Sequence, residues 1–459
     1  MNHSISSVEA LKNSSIANNT MSASNEANSQ DTDIAYNFDI NLLDNQIKEI
    51  HEHTVSSNIQ ISIAAVQNLA YVCAYSGLDG CPLYTFDLSP GASGKDSAVD
   101  KAIELYQKPI LDLQNKRKAE YDYERQSSDD KLPIKSYYCI HTSDATEQGI
   151  IEGFKATKAQ FIAIGETSNK LRKKEDSLTT FVTRIYGKSS VIKPNYKKDL
   201  GSTGDLTIDG IQTFYYGNSN FKMLGKSTFT YHIVGGLLNR CILVYNTYVR
   251  SFEDRPISFE LSEEVLKETH LKVERLLQFG NKHKDMKKPT LIQTDIYTKF
   301  DKHVYDLTIK NRGTEIEYFY KRTMQNTNAI IYTFHYLICA EKDQWTDYIE
   351  PSTISLGVNF MKYILKGYDA LIDEVIGATA EERDEAMIEK LHSTILSLSQ
   401  KSHSLKLKHR EIYRAMHINK KEYDSHLSHI HYKTDRRYLY VSTDSFVTSV
   451  TSDKESKSA

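Results

Sequence analysis

The 459-residue sequence predicts an α/β domain with a mostly parallel sheet and flanking helices, followed by a C-terminal helical lid or bundle and a winged helix-turn-helix. Three observations carry this expectation. Short apolar β-type runs alternate with helix-compatible segments between residues 81 and 255, the pattern of a parallel sheet covered on both faces. From about residue 255 the strand signal fades and long helical segments take over. Near the end, three short helical segments precede a β-type hairpin.

The elements follow in order. Residues 1–34 are rich in Ser, Asn and Ala and hold too little large apolar surface to offset the entropy of ordering, so they read as a disordered tail. In 35–80, Leu43, Ile47 and Ile50, then Ile59, Ile63, Val66, Ala70 and Cys73, predict two amphipathic helices. The core, 81–255, opens on the β-type run at Tyr84, and a helix follows over Ser97–Leu113. A charged stretch, 115–130, then projects as a solvated helix end and loop. Further strands are expected at Ser136–His141, Gln160–Gly165, Ile211–Tyr216 and Cys241–Tyr245, with a helix at Leu178–Tyr186 and cap residues in Thr142–Glu147. The lid, 256–378, contains helices at Phe259–Phe279, Glu315–Glu341 and Thr353–Ile376. The last module, 379–445, contains helices at Glu382–Leu398, Lys408–Met416 and Lys420–Ile430, then a hairpin at His431–Ser442; 446–459 is a polar, disordered tail.

Composition narrows the class without naming a partner. Charged residues make up 25%, hydrophobic ones 39%, and the net charge is −3, which is ordinary for a globular protein. The five cysteines are widely separated, odd in number and without a CxxC pair, so free thiols in a reducing, cytoplasmic compartment are expected. The longest apolar stretch, Ala329–Ala340, is short and contains His335, and no leader-like start is present. Neither secretion nor a membrane partner is expected.

The chemistry centres on Tyr84–Asp100, Y-T-F-D-L-S-P-G-A-S-G-K-D-S-A-V-D. A strand, a turn and a lysine at the first turn of a helix form an arrangement that holds phosphate. Pro90, Gly91, Ala92, Ser93, Gly94, Lys95, Asp96 and Ser97 are therefore the candidate nucleotide-binding residues. The match to G-x-x-x-x-G-K-[ST] departs twice, with Ser89 at the first glycine and Asp96 at the hydroxyl position. Gly91 and Gly94 permit the turn, Lys95 can reach the β- and γ-phosphates of ATP, and Asp96 can hold Mg²⁺ directly or through water. A Gly-rich strand-to-helix turn with a surface lysine would share this sequence.

Three further positions follow strands or precede one. Glu166 can polarise water or complete a metal shell, or it is an ordinary strand-end acid; Gly165 stands where a preceding Asp is usual. Asn218, with Asn220 as the alternate, can orient that water or simply form a turn. Arg240, before the last core strand, can reach a neighbouring subunit's γ-phosphate, or pair with a surface acid.

In order, S-P-G-A-S-G-K-D, a long charged helix, I-A-I-G-E-T, T-F-Y-Y-G-N and G-L-L-N-R-C-I-L-V resemble the ATPase domain of a family carried by phages, prophages and plasmids and related to primase–helicase replication proteins. The G-L-L-N-R segment is also similar to the arginine-finger region of AAA+ replicative helicases. The resemblance covers roughly residues 40 to 375 and implies a P-loop NTPase of AAA+-like fold, an oligomer, often a ring with a hexamer expected, that works on DNA. By that resemblance Lys95 and Asp96 belong to Walker A, Glu166 to Walker B, Asn218 to sensor 1 and Arg240 to the finger. The short N-terminal region contains no recognisable primase module.

The DNA end of the chain is read from charge. Across 401–437, ten Lys and Arg face four acids, net +6 in a chain that is slightly acidic overall. Lys408, Arg410, Lys420, Lys421, Arg436 and Arg437 are the candidate DNA contacts. Helix Lys420–Ile430 would enter the major groove with Lys421, Tyr423, Ser425 and His426, and Arg436 and Arg437 would lie on the wing. The same module could dock a protein. The histidine cluster in this region, His403, His409, His417, His426, His429 and His431, lacks Cys or acidic partners at ligand spacing and reads as surface or phosphate contact. Together these readings describe an ATP-dependent DNA replication protein of a mobile element, a helicase, helicase loader or initiator, with replication proteins of host or element as further partners. The alternative is a non-hydrolysing DNA-binding adaptor or regulator with a degenerate nucleotide pocket.

Overall fold

The structure, a computed structural model, describes residues 33, 35–91, 93–127, 139–141, 145–172, 176–187, 190–193, 206–248, 250, 254–402, 404–416, 420–427, 432–435 and 437–441, with the side chains of 125–127, 155, 190–193, 206–207, 226, 374–390, 401, 421–422 and 425–426 outside that description. Expectations for both tails, for Ala92 and Arg436, and for the side chains of Lys421, Ser425 and His426 fall outside the described residues, Asp33 excepted. That aspartate accepts hydrogen bonds from the Asn58 backbone N–H at 2.8 and 3.0 Å, holding residue 33 against the start of the second helix.

Two helices come first, α1 (Asp44–Glu52) and α2 (Asn58–Tyr75). The expectation that both are amphipathic holds for α1 and not for α2, which is buried from Asn58 through Ala74. The reason is its position between the sheet and other helices. Its Gln67 ties it to the sheet, with Nε2 donating to Leu83 O at 3.0 Å and Tyr215 O at 2.7 Å.

The core continues as β1 (Tyr84–Asp87), α3 (Lys95–Tyr106), α4 (Lys108–Ser127), β2 (Ile140–His141), α5 (Glu147–Ala156), β3 (Ala159–Ile164), α6 (Ser168–Arg172) and α7 (Ser177–Ile185). After it come an antiparallel hairpin, β4 (Ser190–Lys193) with β5 (Leu206–Asp209), then β6 (Gln212–Asn218), α8 (Phe221–Leu224), α9 (Lys226–Val234), a 3-10 turn at Leu238–Arg240 and β7 (Ile242–Val244). The sheet is five-stranded and parallel, in the order β2-β3-β6-β1-β7. Its strands are buried almost throughout, as a sheet covered on both faces requires. Because β6 lies between β1 and β3, the loop after β1, the end of β6 and the end of β3 meet at one carboxyl edge.

Beyond the sheet lie α10 (Glu263–His283), α11 (Asp295–Lys310), α12 (Glu317–Tyr320), α13 (Thr323–Glu341) and α14 (Pro351–Ser402). One continuous apolar core runs from Phe38 to Leu371, so α10 and α13 are packed into the same body as the sheet instead of closing a core of their own. The helix expected separately at Glu382–Leu398 is the far end of α14, whose 52 residues span about 78 Å at 1.5 Å per residue. Its Leu391 and Ile395 join a second core with Leu407, Ile412, Met416, Tyr423, Leu439 and Val441. That second core is closed by β8 (Lys406–Lys408), α15 (His409–Ala415), α16 (Lys420–Leu427), β9 (Lys433–Thr434) and β10 (Tyr438–Tyr440), the strands forming an antiparallel sheet in the order β8-β10-β9. Among the described residues no helix is long and apolar enough to cross a membrane. All five cysteines are buried and none is in a disulfide.

Candidate functional site

β1 ends on Asp87, and the chain turns through Leu88–Gly94 into α3. Gly94 adopts φ +75°, and a Cβ there would sit 2.7 Å from the Ser56 backbone nitrogen. Both facts require glycine. Ala98 N donates to Gly94 O at 3.0 Å, closing the first turn of α3, so the N–H groups of Lys95, Asp96 and Ser97 precede any intrahelical partner and point out of the helix start. With the helix dipole behind them, they favour an anion over the loop.

The lysine is set back into this space. Its side chain is only 6% exposed, and Nζ donates to Ser89 O at 3.2 Å and lies 3.9 Å from Glu166 Oε1. Lys95 is thus a buried ammonium beneath the loop, not the surface lysine that the sequence also allowed. Ser89, at the position of the first motif glycine, is buried; its Oγ accepts from Asn246 N at 3.1 Å, tying the loop to the chain after β7. Pro90 and Gly91 lie in the outer part of the loop, Ser93 is buried, and Ser97 lies in the first turn of α3.

Asn218 joins the acids. Its Nδ2 donates to Asp96 Oδ1 at 2.5 Å, and its Oδ1 accepts from the Glu166 backbone N–H at 2.9 Å. Thr167 Oγ1 and N both donate to Asn218 O, at 2.7 and 2.8 Å. Glu166 itself has φ +44°, a left-handed conformation that is strained for a residue with a Cβ, and its side chain is 56% exposed. The alternate, Asn220, caps α8 by accepting from Lys222 N at 2.9 Å. Lys95, Asp96, Glu166 and Asn218 therefore meet at the carboxyl edge, as strand order dictates.

Arg240 does not join them within one chain. It precedes β7, at the opposite edge of the sheet, with Nη1 donating to Gly236 O at 2.5 Å and Asn239 Oδ1 at 3.0 Å. Burial, together with the Arg322 charge, pushes its guanidinium pKa down.

Two contributors escape the sequence pattern. Gln60 of α2 donates through Nε2 to Asp87 Oδ2 at 2.8 Å and Ser93 Oγ at 3.2 Å, while its Oε1 accepts from Ser57 N at 2.9 Å. Asp87 also accepts from Ser89 N at 2.8 Å. Burial pushes the Asp87 carboxyl up, against those hydrogen bonds and the Lys95 charge. The only signal for Asp87 was an acid closing a β-type run; Gln60 had none beyond being polar in an apolar helix. Further along α3, burial and then the Asp96 charge push the Asp100 carboxyl up.

Among the described residues, no group of three or more His, Cys, Asp or Glu side chains could hold a metal ion. A cation at Asp96 and Glu166 would need further oxygens, from water or a nucleotide.

In the C-terminal module, Lys408, Arg410, Lys420 and Arg437 are exposed. Lys408 lies 3.7 Å from Glu411. Tyr423, expected to face DNA, is instead fully buried, its hydroxyl 2.7 Å from His409 Nδ1. The module is small, and its largest ring on α16 is used to fill the core. His409 is also bonded to Asp435 O at 2.9 Å, so it ties α15 to the hairpin.

No protein-family model matches the chain. No curated protein matches it either. Among solved structures, the SCCmec type IV Cch active helicase aligns over 83% of this chain and 67% of its own, at 9% identity and TM-score 0.28. A protein described as a candidate ATPase from Cytophaga hutchinsonii aligns over 69% and 84%, at 11% identity and TM-score 0.25. The Drosophila ORC bound to DNA aligns over 97% and 100%, at 9% identity and TM-score 0.21. These scores are low, and the functional reading rests on the geometry above.

Proposed function

We propose that the chain is an AAA+-like P-loop ATPase that hydrolyses ATP at subunit interfaces and engages DNA in the cytoplasm, as a helicase, helicase loader or initiator in replication of a mobile genetic element. One observation carries the reading: the Asn218 amide links Asp96 to Glu166 beside the buried Lys95 ammonium, at the mouth of a strand–loop–helix turn. Lys95 neutralises the β- and γ-phosphates, and the first N–H groups of α3 hold their oxygens. Asp96 and Glu166, with further oxygens from water and the nucleotide, would hold Mg²⁺, which when bound would offset phosphate charge. Glu166 takes the proton of the attacking water, and Asn218 fixes the Glu166 backbone that aims it. Arg240 acts on a neighbour's nucleotide, which suits its place at the far edge in a closed ring, most simply a hexamer.

DNA binding is assigned to a C-terminal winged helix through Lys408, Arg410, Lys420, Lys421, Arg436 and Arg437, supported by the net charge of 401–437. Replication proteins of the host or element are the further partners. A second reading is a DNA-binding adaptor that holds nucleotide without turnover. It is favoured by the absence of a second acid at Gly165 and by the engagement of Asp96 with Asn218. DNA-stimulated ATP hydrolysis by wild type and Lys95→Ala separates the two. The ATPase reading requires turnover that falls at least tenfold in Lys95→Ala; no turnover in wild type, with Lys95→Ala assembling and binding DNA normally, leaves the adaptor.

A further inference from the structure

At the amino-terminal edge of the sheet, away from Lys95, lies a cleft of about 590 Å³. Three arginines from separate elements line it, Arg184 on α7, Arg240 on the 3-10 turn and Arg322 just before α13, with Tyr186 and Thr183 between them. The volume is that of a small-ligand site.

Charge in this cleft is unbalanced. Arg184 pairs with Glu147 at 2.5 Å. Among the described residues, Arg240 and Arg322 have neutral partners only: Arg240 bonds to Gly236 O and Asn239 Oδ1, whereas Arg322 donates to Gln325 Oε1 at 3.0 Å and lies over the Tyr186 ring at 5.7 Å. The two positive charges, one of them half-buried, act against each other. A bound dianion would relieve both. A single carboxylate would leave one uncompensated, whereas a phosphate group near −2 matches the pair and offers oxygens for two guanidinium forks.

We propose that this cleft binds a phosphate-bearing polyanion, seated between Arg240 and Arg322 with Arg184 at its rim. Two sources share that chemistry: a free polyphosphate, and the polyphosphate tail of a nucleotide presented by a second copy of this chain. The second source rests on the interface reading above; the first does not. Arg322 and Arg184 then belong to ligand recognition, not only to packing.

Calorimetric titration of the full chain with inorganic tripolyphosphate tests this. In Lys95→Ala, which removes the loop's phosphate contact, one binding site per chain is expected to remain. Adding Arg322→Gln is expected to weaken it at least tenfold, and adding Arg322→Lys, which keeps charge and bulk as a folding control, to weaken it less. No binding to Lys95→Ala, or equal binding after Arg322→Gln, overturns the proposal and leaves the ATPase reading untouched. Conversely, cleft binding without ATP turnover in wild type removes the ATPase reading alone. Repeating the Lys95→Ala titration in the presence of wild-type chain and ATP distinguishes the sources: sites lost on assembly mark a neighbour's nucleotide, and sites retained mark a free anion.

Discussion

A methyl group at Gly165 would sit 3.0 Å from Asp96 Oδ1. The missing acid after β3 and the extra acid at the start of α3 are thus two sides of one arrangement, with the Asp96 carboxylate occupying the space that a side chain at 165 would enter.

Gly165→Ala is therefore expected to displace Asp96 and raise the Mg²⁺ concentration for half-maximal ATP hydrolysis by tenfold or more, with little change in thermal midpoint. A Mg²⁺ titration of hydrolysis measures this; an unchanged midpoint would disconnect Asp96 from the metal.

Gln60→Ala removes the amide that bridges Asp87 and Ser93, and it leaves a buried carboxylate short of a donor. A loss of about 1–3 kcal/mol in urea unfolding is expected, together with weaker nucleotide binding. Gln60→Leu keeps the bulk, so recovery of stability by Leu would assign the effect to packing.

In the C-terminal module, exposed and buried residues should separate cleanly. Arg410→Ala and Arg437→Ala should each weaken DNA binding and lower the salt slope by about 1. Tyr423→Phe should leave the slope unchanged and lower stability, because the lost hydroxyl faces His409 within the protein. A reduced slope in Tyr423→Phe would place that ring at the DNA after all.

Burial pushes His335 down to about 4. Between its unfolded value near 6.5 and that pH, the unfolded chain takes up a proton that the folded chain does not. Stability is thus full above about pH 6.5 and falls as pH drops toward 4, by roughly 3 kcal/mol for this group. His335→Gln should flatten the slope of unfolding free energy against pH in that window without abolishing it, since burial also pushes His141 and His232 down.

The five parallel strands and the loop were legible because each is written locally. A buried parallel strand is a short apolar run, and Gly94 before Lys95 marks a left-handed turn into a helix. That Lys95, Asp96, Glu166 and Asn218 lie at one edge was legible for the same reason, since each follows the end of a parallel strand. Which of them touch was decided by strand order: β6 enters between β1 and β3, and Asn218 therefore reaches both acids. Periodicity could not show that the helices after residue 255 share the core of the sheet, or break α14 correctly, because an apolar helix face does not say which core it enters, and α14 enters two. Gln60 and Arg322 lie far in sequence from the groups they face, so packing alone assigns them to the loop and the cleft.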